Sequence, residues 1–362
     1  MESQLLSNIG PDIGRMKNNL KFEDFEVLKQ ISHGSFGDVF LAKNSSTGSH
    51  LYAIKTIHLR PKDSDEEVLK EIEILEKLHE SNFKPKAIPN YYGFIKETNK
   101  FKQKQYHLIF DYFPKTLKSK IDSLKQEENK FVLTFETLES YFDSLVNCLA
   151  FLQAMEVCHR DLKPGNILLD ENEENIFVID YGASEGTLEF DPSESKKLME
   201  IAGSPMYFSP ELIDAYHEKN ETSLLNPYKS DVFSFGLIFL ELATLKLPKK
   251  HKTTKNWKSK SISTCLEYFE SSYKEIVQSK REKRHLTEMM NVLRECLSID
   301  PEERPDFIDL FKRKMLKTKD PEKIMLHILV EDNKLRMHHY DIEEMKTRET
   351  ASFQINVILI YV

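Results

Sequence analysis

The sequence contains no apolar stretch long enough to cross a bilayer. Its two most apolar runs, residues 231–245 and 355–362, fall short of the roughly 20 residues that a spanning helix needs. The first run, with Val232, Phe233, Phe235, Leu237 and Phe239, is expected to be a buried core helix. Cysteine is scarce: Cys148, Cys158, Cys265 and Cys296 lie far apart with no paired spacing. This argues against a disulfide framework or a zinc site and fits reduced thiols in the cytoplasm or nucleus. There is no excess of positive charge, since 51 Lys and Arg face 59 Asp and Glu for a net −8. A broad electrostatic grip on nucleic acid is therefore not expected. The first ten residues have neither the basic start nor the apolar run of a secretory signal. No internal repeat or long low-complexity segment is present.

What is there reads as a globular chain with room for two lobes: 362 residues, 40% hydrophobic and 30% charged. Residues 1–24 mix Gly10, Pro11 and Gly14 with paired asparagines and are expected to be a poorly ordered extension. From Phe25 the apolar alternation (Phe25, Val27, Ile31) predicts a strand. A turn over 32–37, a second strand with Val39 and Leu41, and a third over 51–57 follow. Ser64-Asp65-Glu66-Glu67 matches a capping box, predicting a helix from there to about His79. Val68, Ile72 and Leu75 share one face of that helix, Glu71 flanks the face and Glu73 points away. Two more strands are predicted over 91–95 and 106–110. Beyond them the pattern turns helical, with Leu138, Tyr141, Phe142, Leu145, Leu149 and Leu152 forming the face of a long buried helix. Residues 167–169 and 176–179 read as a hairpin around the acidic turn 170–175, with Asn166 before one strand and Asp180 after the other.

The residues most suggestive of chemistry are His159-Arg160-Asp161-Leu162-Lys163-Pro164-Gly165-Asn166. One short loop carries a carboxylate that can accept a proton, a cation that can neutralise a phosphate and a carboxamide that can hold a metal ion. Phosphoryl transfer uses all three, because its catalysis is mostly positioning and charge stabilisation. The loop resembles the catalytic loop of eukaryotic-type protein kinases, and Lys163 is similar to the residue of the serine/threonine branch. Other segments resemble that family in the same order. Ser32-His33-Gly34-Ser35-Phe36-Gly37-Asp38-Val39 is similar to a glycine-rich loop whose first glycine is Ser32, although a strand turn with two glycines is common. Tyr52-Ala53-Ile54-Lys55 resembles the V-A-I-K strand and Asp180-Tyr181-Gly182 the D-F-G motif, with tyrosine for phenylalanine. Gly203-Ser204-Pro205-Met206-Tyr207-Phe208-Ser209-Pro210-Glu211 resembles the end of an activation segment, with Ser209 for the usual alanine.

The resemblance covers residues 25–315 and implies an α+β, two-lobed fold. A small antiparallel β-sheet lobe with one main helix (25–110) precedes a hinge (111–116) and a larger helical lobe (117–315), with a C-terminal tail over 316–362. It implies ATP and Mg²⁺ as cofactors and a protein as the substrate. Asp161 would be the base, Lys163 a catalytic cation, and Lys55 a phosphate ligand paired with Glu71, with Glu67 as the alternative partner. Asn166 and Asp180 would bind metal. Ile31, Ser32, Gly34, Gly37, Val39, Ala53, Lys55, Asp111, Phe113 and Leu168 would hold the nucleotide, behind Phe110 as gatekeeper. Thr116 stands where a ribose-binding carboxylate is common. Tyr181 keeps the aromatic plug but adds a hydroxyl that needs a partner if buried.

The implied structural supports are a buried Glu211–Arg304 pair, Asp231 on the catalytic-loop backbone, and Ser204 near Asp161 and Lys163. Arg160 would meet a phosphorylated residue, and Glu200 stands at that position, so its carboxylate would either substitute in part for phosphate or be a solvated surface charge. Thr187, Ser193 and Ser195 are the other candidate phosphosites. A pseudokinase scaffold, a small-molecule kinase and a dual-specificity kinase are the alternatives. The apolar end, residues 353–362, either docks on the core, meets a regulatory partner or is a poorly ordered terminus.

Overall fold

The computed structural model describes residues 21–34, 37–44, 48–99, 102–126, 133–186, 196–248 and 259–315. Strands β1 (Phe25–Gly34), β2 (Gly37–Asn44), β3 (Leu51–Leu59), β4 (Tyr91–Thr98) and β5 (Lys104–Asp111) form an antiparallel sheet in the order β1-β2-β3-β5-β4. In β3 the pleat decides which side chains can work. Tyr52, Ile54 and Thr56 are buried on one face, while Ala53, Lys55 and Ile57 alternate onto the other. The alternation expected in β1 does not sort its side chains as cleanly. Bulges between Val27 and Lys29 and between Gln30 and Ser32 shift the register, so Phe25 is buried while Val27 and Ile31 stay 41% and 42% exposed.

Helix α1 (Glu66–Glu80) buries Val68, Ile72 and Leu75 as expected, but the predicted capping box does not form. Ser64 Oγ accepts from the Glu66 amide at 3.2 Å, and Asp65 makes no side-chain cap. The Asp65 carboxylate is drawn instead to the Tyr106 hydroxyl (2.6 Å), Lys96 (3.1 Å) and Lys104, tying the helix start to the sheet. The extension expected to run to Asp24 is structured from Lys21. Phe22–Asp24 forms a 3-10 turn and Phe22 stacks on His107, their ring centroids 4.2 Å apart. The calls on Ser35, Phe36, Thr187, Ser193, Ser195, residues 1–20 and the tail over 316–362 lie outside the described residues.

The second lobe begins with β6 (Lys115–Thr116), which joins β8 (Ile167–Leu169) and β9 (Ile176–Val178) in a small sheet. Helices α2 (Leu117–Gln126) and α3 (Phe135–Ala154) lead into β7 (Val157–Cys158). Strand β10 (Glu185–Gly186) pairs with β7, and β11 (Lys197–Glu200) pairs with β12 (Thr222–Leu225) on either side of helix α4 (Pro210–His217). Helix α5 (Pro227–Thr244) is the apolar run read from the sequence, and every residue in it except Lys229 is buried. Its start follows from chemistry: the Asn226 side chain accepts the amides of Tyr228 and Lys229, and Pro227 needs no amide partner. Helices α6 (Ser259–Lys274), α7 (Lys280–Cys296) and α8 (Phe307–Met315) complete the lobe. Among the described residues no helix is long and apolar enough to cross a membrane.

Arg304 anchors this lobe. Its guanidinium, 0% exposed, forms a fork with Glu211 at 2.7 and 2.9 Å and donates to the carbonyls of Ser298, Ile299 and Lys229. Glu211→Ala should strand that charge and lower the unfolding free energy by about 3 kcal/mol, measured by urea melts.

A second stability prediction concerns His107, which is 3% exposed with Nδ1 2.8 Å from Thr56 Oγ1. Burial, helped by His58, pushes its pKa down to about 4. An unfolded histidine titrates near about 6.5, so between those values the unfolded chain takes up a proton that the folded chain refuses. Stability should therefore fall as pH drops through that window, by at most about 3 kcal/mol from this group. In thermal melts between about pH 7 and about pH 4.5, the decline in Tm should be shallower for His107→Gln than for the parent.

Candidate active site

A cleft of about 470 Å³ opens between the sheet and the helical lobe. Ile31, Ser32, Gly37, Val39 and Ala53 line it from the sheet side, together with Leu168 and residues 110–116 of the segment that connects the two lobes. Its inner end reaches Leu75, His79, Ile88 and Tyr181, of which only Leu75 and Tyr181 were singled out in the sequence, and for other reasons. Gly37 lines the cleft, but its missing side chain also has a cause inside the sheet. At φ +120° a Cβ there would lie 2.3 Å from the Thr56 carbonyl oxygen.

In the connecting segment, several side chains are engaged elsewhere. The Asp111 carboxylate turns away to the Tyr92 hydroxyl (2.7 Å) and His50 (3.0 Å), and Phe113 stacks on Phe177 with centroids 3.8 Å apart. Thr116 spends its hydroxyl on the Ser119 amide at 3.0 Å, at the start of α2. No carboxylate therefore stands free at that rim among residues 110–116.

Lys55 reaches into the cleft from β3 and meets Glu71 at 2.7 Å and Asp180 at 2.9 Å. Glu67 is exposed and takes no part in this contact. Burial works against the Lys55 charge, but the two carboxylates outweigh it and its pKa rises. For Asp180, burial again opposes ionisation, and Lys55 wins, leaving that pKa below the usual carboxylate value. Glu71 is pulled both ways, upward by burial and downward by Lys55, with a net rise. The 2.7 Å contact with an ammonium that keeps its proton favours the carboxylate form of Glu71.

Asp231, at the start of α5, accepts the backbone amides of His159 (2.7 Å) and Arg160 (2.9 Å). Burial pushes its pKa up to about 6, against the pull of those amides and nearby charge. The loop so held brings Asp161, Lys163, Asn166 and Ser204 together. Lys163 bridges Asp161 Oδ2 (2.6 Å) and Ser204 Oγ (2.9 Å), and Asn166 donates its amide to Asp161 Oδ2 (3.1 Å) and to the Asp161 carbonyl (2.9 Å). Asp161 Oδ1 is buried without a hydrogen-bond partner among the described residues. Tyr181 is buried, and its hydroxyl finds the Val178 carbonyl at 3.4 Å.

Of the two readings of Glu200, the geometry at Arg160 supports the solvated surface charge. The Arg160 guanidinium meets Glu200 only through the backbone carbonyl (2.5 Å), and the Glu200 side chain is exposed on β11. The carboxylate at Arg160 belongs to Glu185, 2.9 Å away, which Lys197 also approaches at 3.4 Å. Spacing alone could not reveal this. The β10–β7 pairing sets Glu185 across from Cys158, two residues before Arg160.

A protein kinase domain model matches residues 25–316. Among curated proteins the chain is similar to serine/threonine-protein kinase dst2 of Dictyostelium discoideum, 26% identical over 87% of this chain and 24% of that one. It is 30% identical to serine/threonine-protein kinase pakH of the same organism, over 60% of this chain and 37% of that one. It is 25% identical to serine/threonine-protein kinase Nek10 of Mus musculus, over 98% of this chain and 30% of that one. The chain thus spans well under half the length of these relatives. With the domain match running from the first strand to the end of α8, this chain belongs to the protein kinase domain family.

Proposed function

We propose that this protein transfers the γ-phosphate of Mg-ATP to a serine or threonine hydroxyl of a protein substrate. The observation that carries this reading is the Asp161–Lys163–Ser204 contact, which leaves one oxygen of a buried carboxylate without a partner. That oxygen is the natural acceptor for a substrate hydroxyl proton. Lys163 would neutralise charge on the transferring phosphoryl group, and Lys55, oriented by Glu71, would hold the more distant phosphates. Ile31, Val39, Ala53 and Leu168 offer apolar surface for the base, and the backbone near Asp111 and Phe113 offers polar edges.

The donor set fits magnesium. Asn166 and Asp180 supply hard oxygen atoms, and Mg²⁺ needs only one or two carboxylates when phosphates and water complete its shell. Among the described residues no group of three or more His, Cys, Asp or Glu is arranged to hold a metal alone, which agrees with an ion that arrives with the nucleotide. When bound, the ion would offset negative charge on the phosphates. The four cysteines are free thiols, which supports a cytoplasmic or nuclear setting.

The test is transfer from Mg-ATP to a degenerate serine/threonine peptide mixture. The parent should phosphorylate it, chelation of Mg²⁺ should stop transfer, and Asp161→Asn should slow it by roughly 10²–10⁴-fold. A folded parent that binds nucleotide without transferring phosphate would make the chain a binding module instead.

A further inference from the structure

Arg160 is a crossing point. Its amide is held by Asp231 at 2.9 Å. Its carbonyl lies so close to Gly203 that a Cβ there would approach within 2.3 Å. Its guanidinium donates to Glu185 on one side and to the Glu200 carbonyl on the other. Its backbone is left-handed, at φ +67°, immediately before Asp161. A non-glycine residue holds that conformation only when its surroundings enforce it. Both donors of the fork are satisfied by the chain itself, and Lys197 adds a second cation to Glu185. Independently, β11 is held by its full pairing with β12 and by the Ile201 amide bonding the Glu221 carbonyl at 3.0 Å.

We propose that Glu185 is a positioning residue for catalysis. Its carboxylate fixes Arg160, and through that backbone it fixes Asp161 and the Gly203–Ser204 approach, without a phosphate on the segment between β10 and β11. The proposal rests on the kinase reading, because it concerns the orientation of the proposed base. Glu185 is not among the residues that line the cleft. Its effect should appear in kcat and not in nucleotide binding.

The experiment compares the parent with Glu185→Gln, Arg160→Ala and the double variant, using the peptide mixture and Mg-ATP. Because 1 Å of misplacement can cost about 10²-fold, Glu185→Gln should lower kcat by roughly 10–100-fold while KM for ATP stays within about 2-fold. The double variant should be no slower than the slower single variant, since both single variants already remove the Arg160–Glu185 contact. Glu200→Ala should leave kcat unchanged, because only its backbone carbonyl meets Arg160. Phosphatase-treated parent, verified as unphosphorylated by mass spectrometry, should keep its activity, and this arm stands even if a Glu185 variant fails to fold. Glu185→Gln with parental kcat, losses that multiply in the double variant, or loss of activity on phosphatase treatment would each overturn the proposal. An Asp161→Asn variant that still transfers phosphate would instead fault the kinase reading.

Discussion

Much of this structure hangs on one buried helix. Helix α5 has no exposed face, so its polar side chains must find partners inside the protein, and several of those partners belong to the site or its support. Asp231 takes two amides of the catalytic loop. Ser230 meets Ser209, and Ser234 donates to the Tyr207 carbonyl, so both fix the end of the activation segment. Glu241 accepts from Tyr207 and pairs with Lys125 of α2. Phe233 lies under the Arg304 guanidinium at 4.9 Å. An apolar rod with a few satisfied polar groups thus ties four separate stretches of chain to a common frame.

Against that frame, the charges in the cleft are arranged by competition. Lys55 is shared between a helix carboxylate and Asp180, so the sheet, α1 and the loop after β9 meet at one ammonium. Across the cleft Lys163 is shared between Asp161 and Ser204. In each case one cation joins separate chain segments: moving α1 or the loop after β9 away from Lys55 would leave a buried charge underpaired, which is costly in a medium of low polarity, and moving Ser204 would cost Lys163 a hydrogen bond.

The parts legible in the sequence were those governed by local pattern. The resemblance to the V-A-I-K strand picked out Ala53 and Lys55, which the pleat of β3 puts on one face, the short hairpin set Asn166 and Asp180 at its two ends, and the apolar face of α3 identified the helix leading to the loop. What escaped was set by long-range pairing. Asp65 looked like part of a cap, yet Tyr106 and two lysines from distant strands outbid the helix amides. Glu200 sits at the expected distance from Gly203, but the β11–β12 ladder turns its side chain outward. Glu185 carried no local signal at all, since only the pairing of two two-residue strands brings it to Arg160.

The bulged first strand has a consequence for how these molecules tolerate one another. β1 lies at an edge of the sheet, with Val27, Leu28 and Ile31 partly open to solvent. A straight edge with that side-chain row would be a template for another molecule's strand. The two bulges bend and twist it, so successive amides no longer lie on one line. Ile31 can then face the cleft while the edge as a whole is a poor surface for a second copy to extend. The irregularity that spoils the strand's alternation thus also breaks up the line of hydrogen-bonding groups along the sheet edge.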